Sequence, residues 1–367
     1  MKSLSEEKFF SGMKNKSWQY YIKHSITTAE EIAELTGANK EEIQKVIDVF
    51  PARINPYYFS LDKTMDGPIW KQCVPDVKEL SKIGFVDPLN EDEMKHGCVI
   101  HRYPTKCLFL ASNQCANYCR FCTRKRRVGD LKKNISREEF SQGIDYIEET
   151  KSIKDVLISG GDPLMLSTIA LEKIIKSLME IDHVKILRIG SRIPCTLPQR
   201  INQDKKLVSM LRKMSSIKPI YLNTHFNHPK EITPESSAAC LALANAGIPL
   251  GNQSVFLRGV NDNYETMLEL VEKLIEIKVK PYYVYFPDLA VGTEHFRIRV
   301  EKGMEIINKL RGRTSGFAIP TLVIDAPGGL GKTHVIKDNI IEMNDKEVVM
   351  RNYQGKIFSY PQPVDLI

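Results

Sequence analysis

Between residues 100 and 312, short apolar runs alternate with stretches in which apolar residues return every three to four positions. The runs at 107–111, 156–159, 186–190, 220–224, 250–256 and 281–286 read as short strands. The stretches at 138–149, 169–181, 234–246, 265–277 and 303–310 have the helical period. Six strand-led units imply a parallel sheet, and six fall short of the eight that close a full barrel. The pattern predicts an α/β fold: a partial (β/α)6 TIM-like barrel over residues 100–312, a helical, wrapping N-terminal extension over 1–99, and a C-terminal segment over 313–367. In such barrels chemistry sits at the C-terminal strand ends. Here those ends carry CxxxCxxC, SGGDP, GSRIP, THFNHP and YFPDL.

In the extension, Thr28 with Glu31 forms a capping-box pattern, Gly37 stops that helix, and Asn39 with Glu42 starts another. The Pro-broken stretches INPYYFSLDK and FVDPLN read as extended chain laid over a larger body. Hydrophobic content of 42% and charged content of 26% describe an ordinary packed globule. The excess of 52 basic over 45 acidic residues is mild, and suits anionic small ligands as well as nucleic acid. The opening MKSLSEEKFFSGMKNK lacks the apolar core of a secretory signal, so the eight cysteines are not expected to form a disulfide framework and the protein is expected in the cytoplasm. No stretch approaches the uninterrupted apolar length of a membrane span.

Cys115, Cys119 and Cys122 place three thiols within eight residues on a loop after the first strand, a set suited to soft metals. A four-thiolate cage closes a site, whereas three leave one iron of a cubane open. A structural zinc site is the plainer alternative, but zinc motifs come as CxxC pairs and nothing later completes one. Cys73, Cys98, Cys107, Cys195 and Cys240 are scattered and read as small buried residues. Near the C-terminus, residues 321–333 read as a strand followed by a glycine loop presenting Lys332. This could be a nucleotide-binding loop, although Ala326 stands where its first glycine belongs, or a Schiff-base lysine for pyridoxal phosphate. The local sequence leaves both open.

The cysteine spacing, with Phe121 just before the last thiol, resembles the signature of the radical S-adenosylmethionine superfamily. That resemblance implies a 4Fe-4S cluster on Cys115, Cys119 and Cys122, with S-adenosylmethionine on the open iron as the source of a 5′-deoxyadenosyl radical. Ser159, Gly160, Gly161 and Asp162 fit the turn that contacts its methionine amino group. From about Trp18 to beyond Arg351 the chain also resembles the lysine 2,3-aminomutase family, through HRYP, CTRKRR, SGGDPL, IGSR, LNTHFNHP, GNQSVFLRGVND, PYYVY, EHFR and DAPGG with GKT.

This second resemblance implies a pyridoxal phosphate-dependent isomerase that interconverts L-lysine and L-β-lysine. Lys332 would hold the pyridoxal, with Arg102, Tyr103 and Lys106 around it. His225 and Gln253 match positions beside the adenosylmethionine, and Tyr285 matches a tyrosine next to the reacting groups. Arg124 matches the arginine that pairs with the substrate carboxylate, and Asp288 and Asp325 the acids that receive a lysine ε-ammonium. Glutamate-using relatives replace those acids with lysine and asparagine, so two aspartates favour a cationic side chain.

The implied partners are a small amino acid, an electron donor such as flavodoxin or ferredoxin, and further copies of the chain, with neither nucleic acid nor membrane. The family's C-terminal zinc cysteines are missing and Asn263 replaces their partner, so no zinc is expected. Phe286 and Pro287 depart from the family's usual polar pair. Alternatives are an aminomutase for arginine or glutamate, or a radical enzyme modifying protein or RNA, for which the basic run Arg124 to Arg127 could serve.

Overall fold

The computed structural model describes residues 16–130, 134–352 and 354–363. The opening segment read above for a leader lies, apart from Lys16, outside the described residues.

The N-terminal region contains α1 (Trp18–Lys23), α2 (Ala29–Thr36), α3 (Lys40–Val49), α4 (Pro56–Ser60) and α5 (Pro68–Cys73). The capping box of α2 forms as predicted, with Thr28 Oγ1 accepting from Glu31 N at 3.2 Å and Gly37 closing the helix at φ 72°. Part of INPYYFSLDK is not extended but helical. Asn55 caps α4 by accepting from Tyr57 N, and Pro56 at the first helical position supplies a φ already suited to a helix. The proline there starts a helix rather than breaking one.

A ten-stranded sheet follows in strict chain order: β1 (Lys95–His96), β2 (Val99–Tyr103), β3 (Lys106–Ser112), β4 (Asp155–Gly160), β5 (Ile186–Gly190), β6 (Ile220–Thr224), β7 (Leu250–Val255), β8 (Val279–Tyr285), β9 (Thr321–Ala326) and β10 (Gly331–His334). From β3 to β9 every pairing is parallel. The six predicted strands are present, and β9 adds a seventh parallel one, so the segment after residue 313 extends the barrel sheet. Between strands run α6 (Arg137–Glu149), α7 (Thr168–Met179), α8 (Ile193–Thr196), α9 (Gln199–Gln203), α10 (Lys205–Ser215), α11 (Pro234–Asn245), α12 (Tyr264–Glu276) and α13 (Val300–Leu310). A separate antiparallel sheet, β11 (Ile340–Met343), β12 (Glu347–Arg351) and β13 (Ile357–Pro361), ends the described chain.

Burial alternates along the strands. In β4 and β5, Val156, Ile158, Leu187 and Ile189 are fully buried beneath the helices, while Leu157, Ser159 and Arg188 on the opposite face are only half-buried. The half-buried face looks into a lumen, and the ends of the sheet curl towards each other around it. Arg102 on β2 pairs with Asp325 on β9 at 2.6 Å, and Lys332 N on β10 donates to Tyr103 Oη at 2.9 Å. No ladder joins β1 to β10, so side chains span the gap.

The extension is clamped to the cysteine loop by a buried ion cluster. Glu79 receives Arg120 Nη2 at 2.7 Å and Lys125 Nζ at 2.6 Å, while Arg120 also donates to the carbonyls of Phe50 and Pro51. Burial pushes the Glu79 carboxyl up, but Arg120 and Lys125 together bring it below its ordinary value. Glu79→Ala leaves two buried cations without their anion, and we expect it to lower stability by about 3–5 kcal/mol, read as the fall in the urea midpoint.

Candidate active site

The cysteine loop leaves the end of β3 and is fastened on both sides. Arg53 Nη1 donates to Cys115 O at 3.2 Å, Tyr118 N to Arg53 O at 2.9 Å, and Arg120 N to Gln72 O at 3.0 Å. The three thiols are half-buried: burial first, then the Asp162 carboxylate and the neighbouring Cys122 and Cys119, push Cys115 up, and Cys122 is raised to about 11 by burial and Cys119. Three thiolates crowded in this way call for a positively charged centre between them. Among the described residues no three His, Cys, Asp or Glu side chains converge tightly enough for a single metal ion. A cubane does not require that, since each cysteine binds a different iron.

The turn after β4 packs directly on this loop. Gly161 N donates to Ser112 O at 2.5 Å and Asp162 N to Gln114 O at 2.8 Å. Gly160 adopts φ 112°, and a Cβ there would sit 2.3 Å from Ser112 O; one on Gly161 would sit 2.5 Å from Gln114 O. Both glycines are dictated by that close approach. Asp162 is buried, accepts from Ser191 Oγ at 2.7 Å and Arg192 N at 2.7 Å, and so ties the turn to the end of β5; burial raises its carboxyl to about 6.

Opposite, at the end of β6, His225 stacks on Phe121 with ring centroids 5.4 Å apart. Among the described residues its Nε2 is buried without a partner, and burial followed by Arg192 lowers the ring to about 3, so it is neutral and offers one site to a ligand. Gln253 on β7 is half-buried across from Tyr283. An orphaned imidazole nitrogen next to the thiols fits a polar cofactor such as S-adenosylmethionine.

Lys332 does not open a helix. It lies on β10, which pairs antiparallel with β9 so that Lys332 faces Asp325 directly. The nucleotide-loop reading therefore falls, because its phosphate cradle needs a helix N-terminus. Lys332 Nζ is 3.6 Å from Asp325 Oδ2 and 5.8 Å from the ring centres of both Tyr103 and Tyr285. Lys106 Nζ lies 4.1 Å over Tyr103. Burial, then Lys332 and Arg188, lower the Lys106 ammonium below its usual value. Cations concentrated next to a lysine amine and tyrosine rings fit a phosphorylated aromatic aldehyde, and hence pyridoxal phosphate.

Asp288, in the loop after β8, accepts a short hydrogen bond from Thr123 Oγ1, the residue following Cys122. Burial and then Asp325 push its carboxyl up to about 7, whereas Lys332 and Arg102 overcome burial and hold Asp325 below the ordinary carboxylate range. Arg124 presents Nε and Nη2 to Glu91 at 2.9 and 2.5 Å, and among the described residues its Nη1 edge carries no hydrogen bond. The rest of the basic run is also matched with acid: Lys125 with Glu79, Arg126 with Asp87 and Asp92, and Arg127 with Asp92. Phe286 is buried between Phe256 and Tyr360, and Tyr360 Oη donates to Pro287 O at 3.1 Å, so the small C-terminal sheet buttresses the Asp288 loop. Asn263 caps α12 by accepting from Thr266 N.

Sequence reasoning missed Glu91, Thr123, Arg188 and Arg192. Thr123 adjoins the last cysteine and Arg192 lies in the flagged GSRIP strand end, whereas Glu91 sits in the extension with no local signal.

Residues 110–271 match the radical SAM superfamily, a class of enzymes that work with an iron–sulfur cluster and S-adenosylmethionine. Residues 307–367 match the model described as lysine-2,3-aminomutase. The L-lysine 2,3-aminomutase of Clostridium subterminale is 47% identical over 95% of this chain and 84% of its own length. That of Methanococcus maripaludis is 46% identical over 99% and 85%, and the glutamate 2,3-aminomutase of Clostridioides difficile 41% over 94% and 81%. The chain belongs to the lysine 2,3-aminomutase family, and is an isomerase. No helix among the described residues is long and apolar enough to cross a membrane.

Proposed function

We propose that the protein moves the α-amino group of L-lysine to the adjacent carbon, giving L-β-lysine. The observation that carries the substrate is the pair Asp288 and Asp325, two largely shielded acids that interact with each other and with the charge of Lys332. When bound, S-adenosylmethionine on a 4Fe-4S cluster held by Cys115, Cys119 and Cys122 supplies a radical able to break an unactivated C–H bond, and pyridoxal phosphate on Lys332 supplies a carbonyl that carries the migrating nitrogen.

The protein's own groups orient and select. Arg124, its fork fixed by Glu91, offers Nη1 to the substrate carboxylate. The two acids hold the ε-ammonium, which fixes the substrate at both ends so that one carbon–hydrogen bond faces the cofactor. Arg102 keeps Asp325 ionised, and Arg102, Tyr103 and Lys106 supply donors for the pyridoxal group. Ser159, Gly160 and Gly161 form the turn assigned to the methionine moiety, and His225 Nε2 and Gln253 are assigned to the same ligand. A one-electron donor of the flavodoxin or ferredoxin kind fits the chemistry, as does a cytoplasmic setting that keeps the thiols reduced.

The test is anaerobic incubation of reconstituted protein with adenosylmethionine, pyridoxal phosphate, dithionite and L-lysine, with chromatography for β-lysine. Formation of β-lysine is expected. Cleavage of adenosylmethionine with lysine left intact would overturn the substrate and direct attention to arginine and glutamate.

A further inference from the structure

Arg192, at the end of β5, is a largely buried arginine, with its side chain 10% exposed, whose guanidinium reaches a cysteine sulfur. Nη1 donates to Cys119 Sγ at 2.7 Å. The opposite side is held by the extension and by the loop after β6. Nη2 contacts Tyr58 Oη at 3.0 Å, Gln72 Oε1 at 2.7 Å and Glu231 Oε1 at 2.8 Å, while Nε reaches His225 O at 3.3 Å. The guanidinium lies 5.3 Å over the Phe121 ring and 5.1 Å over Tyr58.

Glu231 is fully buried and every lone pair has work: Oε1 also accepts from Tyr58 Oη at 2.5 Å and Gln72 Nε2 at 3.0 Å, and Oε2 accepts from the backbone of Asn227 and His228. A plain structural ion pair between Arg192 and Glu231 would be complete without the sulfur. Instead, the extension and the loop after β6, more than 150 residues apart in sequence, fix the guanidinium plane so that Nη1 points at Cys119.

We propose that Arg192 is a positioning residue that sets the reduction potential of the cluster by holding a charged N–H donor against the Cys119 sulfur. This rests on the reading of Cys115, Cys119 and Cys122 as cluster ligands. Adding one electron to a cubane increases the negative charge on its sulfurs, and a cation and hydrogen bond at one of them stabilise that reduced form more than the oxidised one. The residue thus makes the cluster easier to reduce by the external one-electron donor, without itself gaining or losing a proton.

The experiment is a redox titration of the reconstituted full chain with dithionite, monitored by electron paramagnetic resonance, on the wild type, Arg192→Gln and Arg192→Lys. Iron and sulfide content are measured alongside. Arg192→Gln is expected to disfavour reduction at least tenfold, a shift of about 59 mV to more negative potential. Arg192→Lys keeps the charge but not the fork, and should fall between the two. If Arg192→Gln does not fold, Arg192→Lys decides: a shift of threefold or more in the reduction equilibrium supports the assignment. Variants that assemble fewer clusters but of unchanged potential would overturn it, since a purely structural arginine changes yield alone. A wild type that assembles no 4Fe-4S cluster would overturn the ligand reading, and this inference with it.

Discussion

Lys332→Ala should abolish the visible absorbance of covalently held pyridoxal and lower amino transfer by about 10³-fold or more, while the protein remains folded. The survival of the fold follows from the charges. Asp325 still has Arg102 at 2.6 Å after the substitution, so no buried carboxylate is left alone. The reverse change is far harsher, because Asp325→Asn leaves both Arg102 and Lys332 without their shared anion. Absorbance titration with pyridoxal phosphate and circular dichroism separate the two effects. A covalent adduct unchanged in Lys332→Ala would remove Lys332 from the site.

Asp288→Asn is the cleaner probe of substrate choice, since among the described residues the Thr123 hydroxyl is the one hydrogen-bond partner of its carboxylate. Removing one acid that faces an ammonium should cost about 3 kcal/mol, on the order of 100-fold in kcat/KM for lysine. A pH dependence comes with it. With its carboxyl pushed up to about 7, Asp288 is neutral at lower pH and draws no ammonium, so kcat/KM for lysine should rise as pH rises through about 7. Asp288→Asn should lack that limb.

Stability runs the other way. A carboxyl raised in the folded state binds its proton more tightly there than in the unfolded chain, so its contribution is whole below the unfolded value near pH 4 and is lost as pH rises towards 7. Asp288→Asn is therefore expected to melt at a higher temperature than the wild type at pH 8. A variant with unchanged lysine kinetics would refute the role assigned to Asp288.

The barrel was legible because its strands repeat on a short period. Units from residue 100 onwards each announce themselves by an apolar run, and the observed strands fall within a few residues of the runs. The seventh strand was legible as a strand but not as a member of the sheet, since its neighbour β8 ends 36 residues earlier and pairing leaves no local trace. The helix α10 went unread directly behind the short α8 and α9. At the site, residues in spaced motifs could be found, whereas Glu91 and Thr123 could not: what matters about them is a partner 33 or 165 positions away. The extension looked like a wrapping because its composition is unremarkable, yet Tyr58, Gln72 and Glu79 reach the cysteine loop or its arginine.

The gap between the two ends of the sheet is where the fold and the chemistry meet. β2 and β10 share no ladder and are joined through Arg102, Tyr103, Asp325 and Lys332, the same groups assigned to the pyridoxal site. A molecule seated there acts as the missing stave. Its binding energy is then shared by strands more than 220 positions apart, and it should register as resistance of the whole barrel to heat, worth about 2.7 kcal/mol at a hundredfold excess over its dissociation constant.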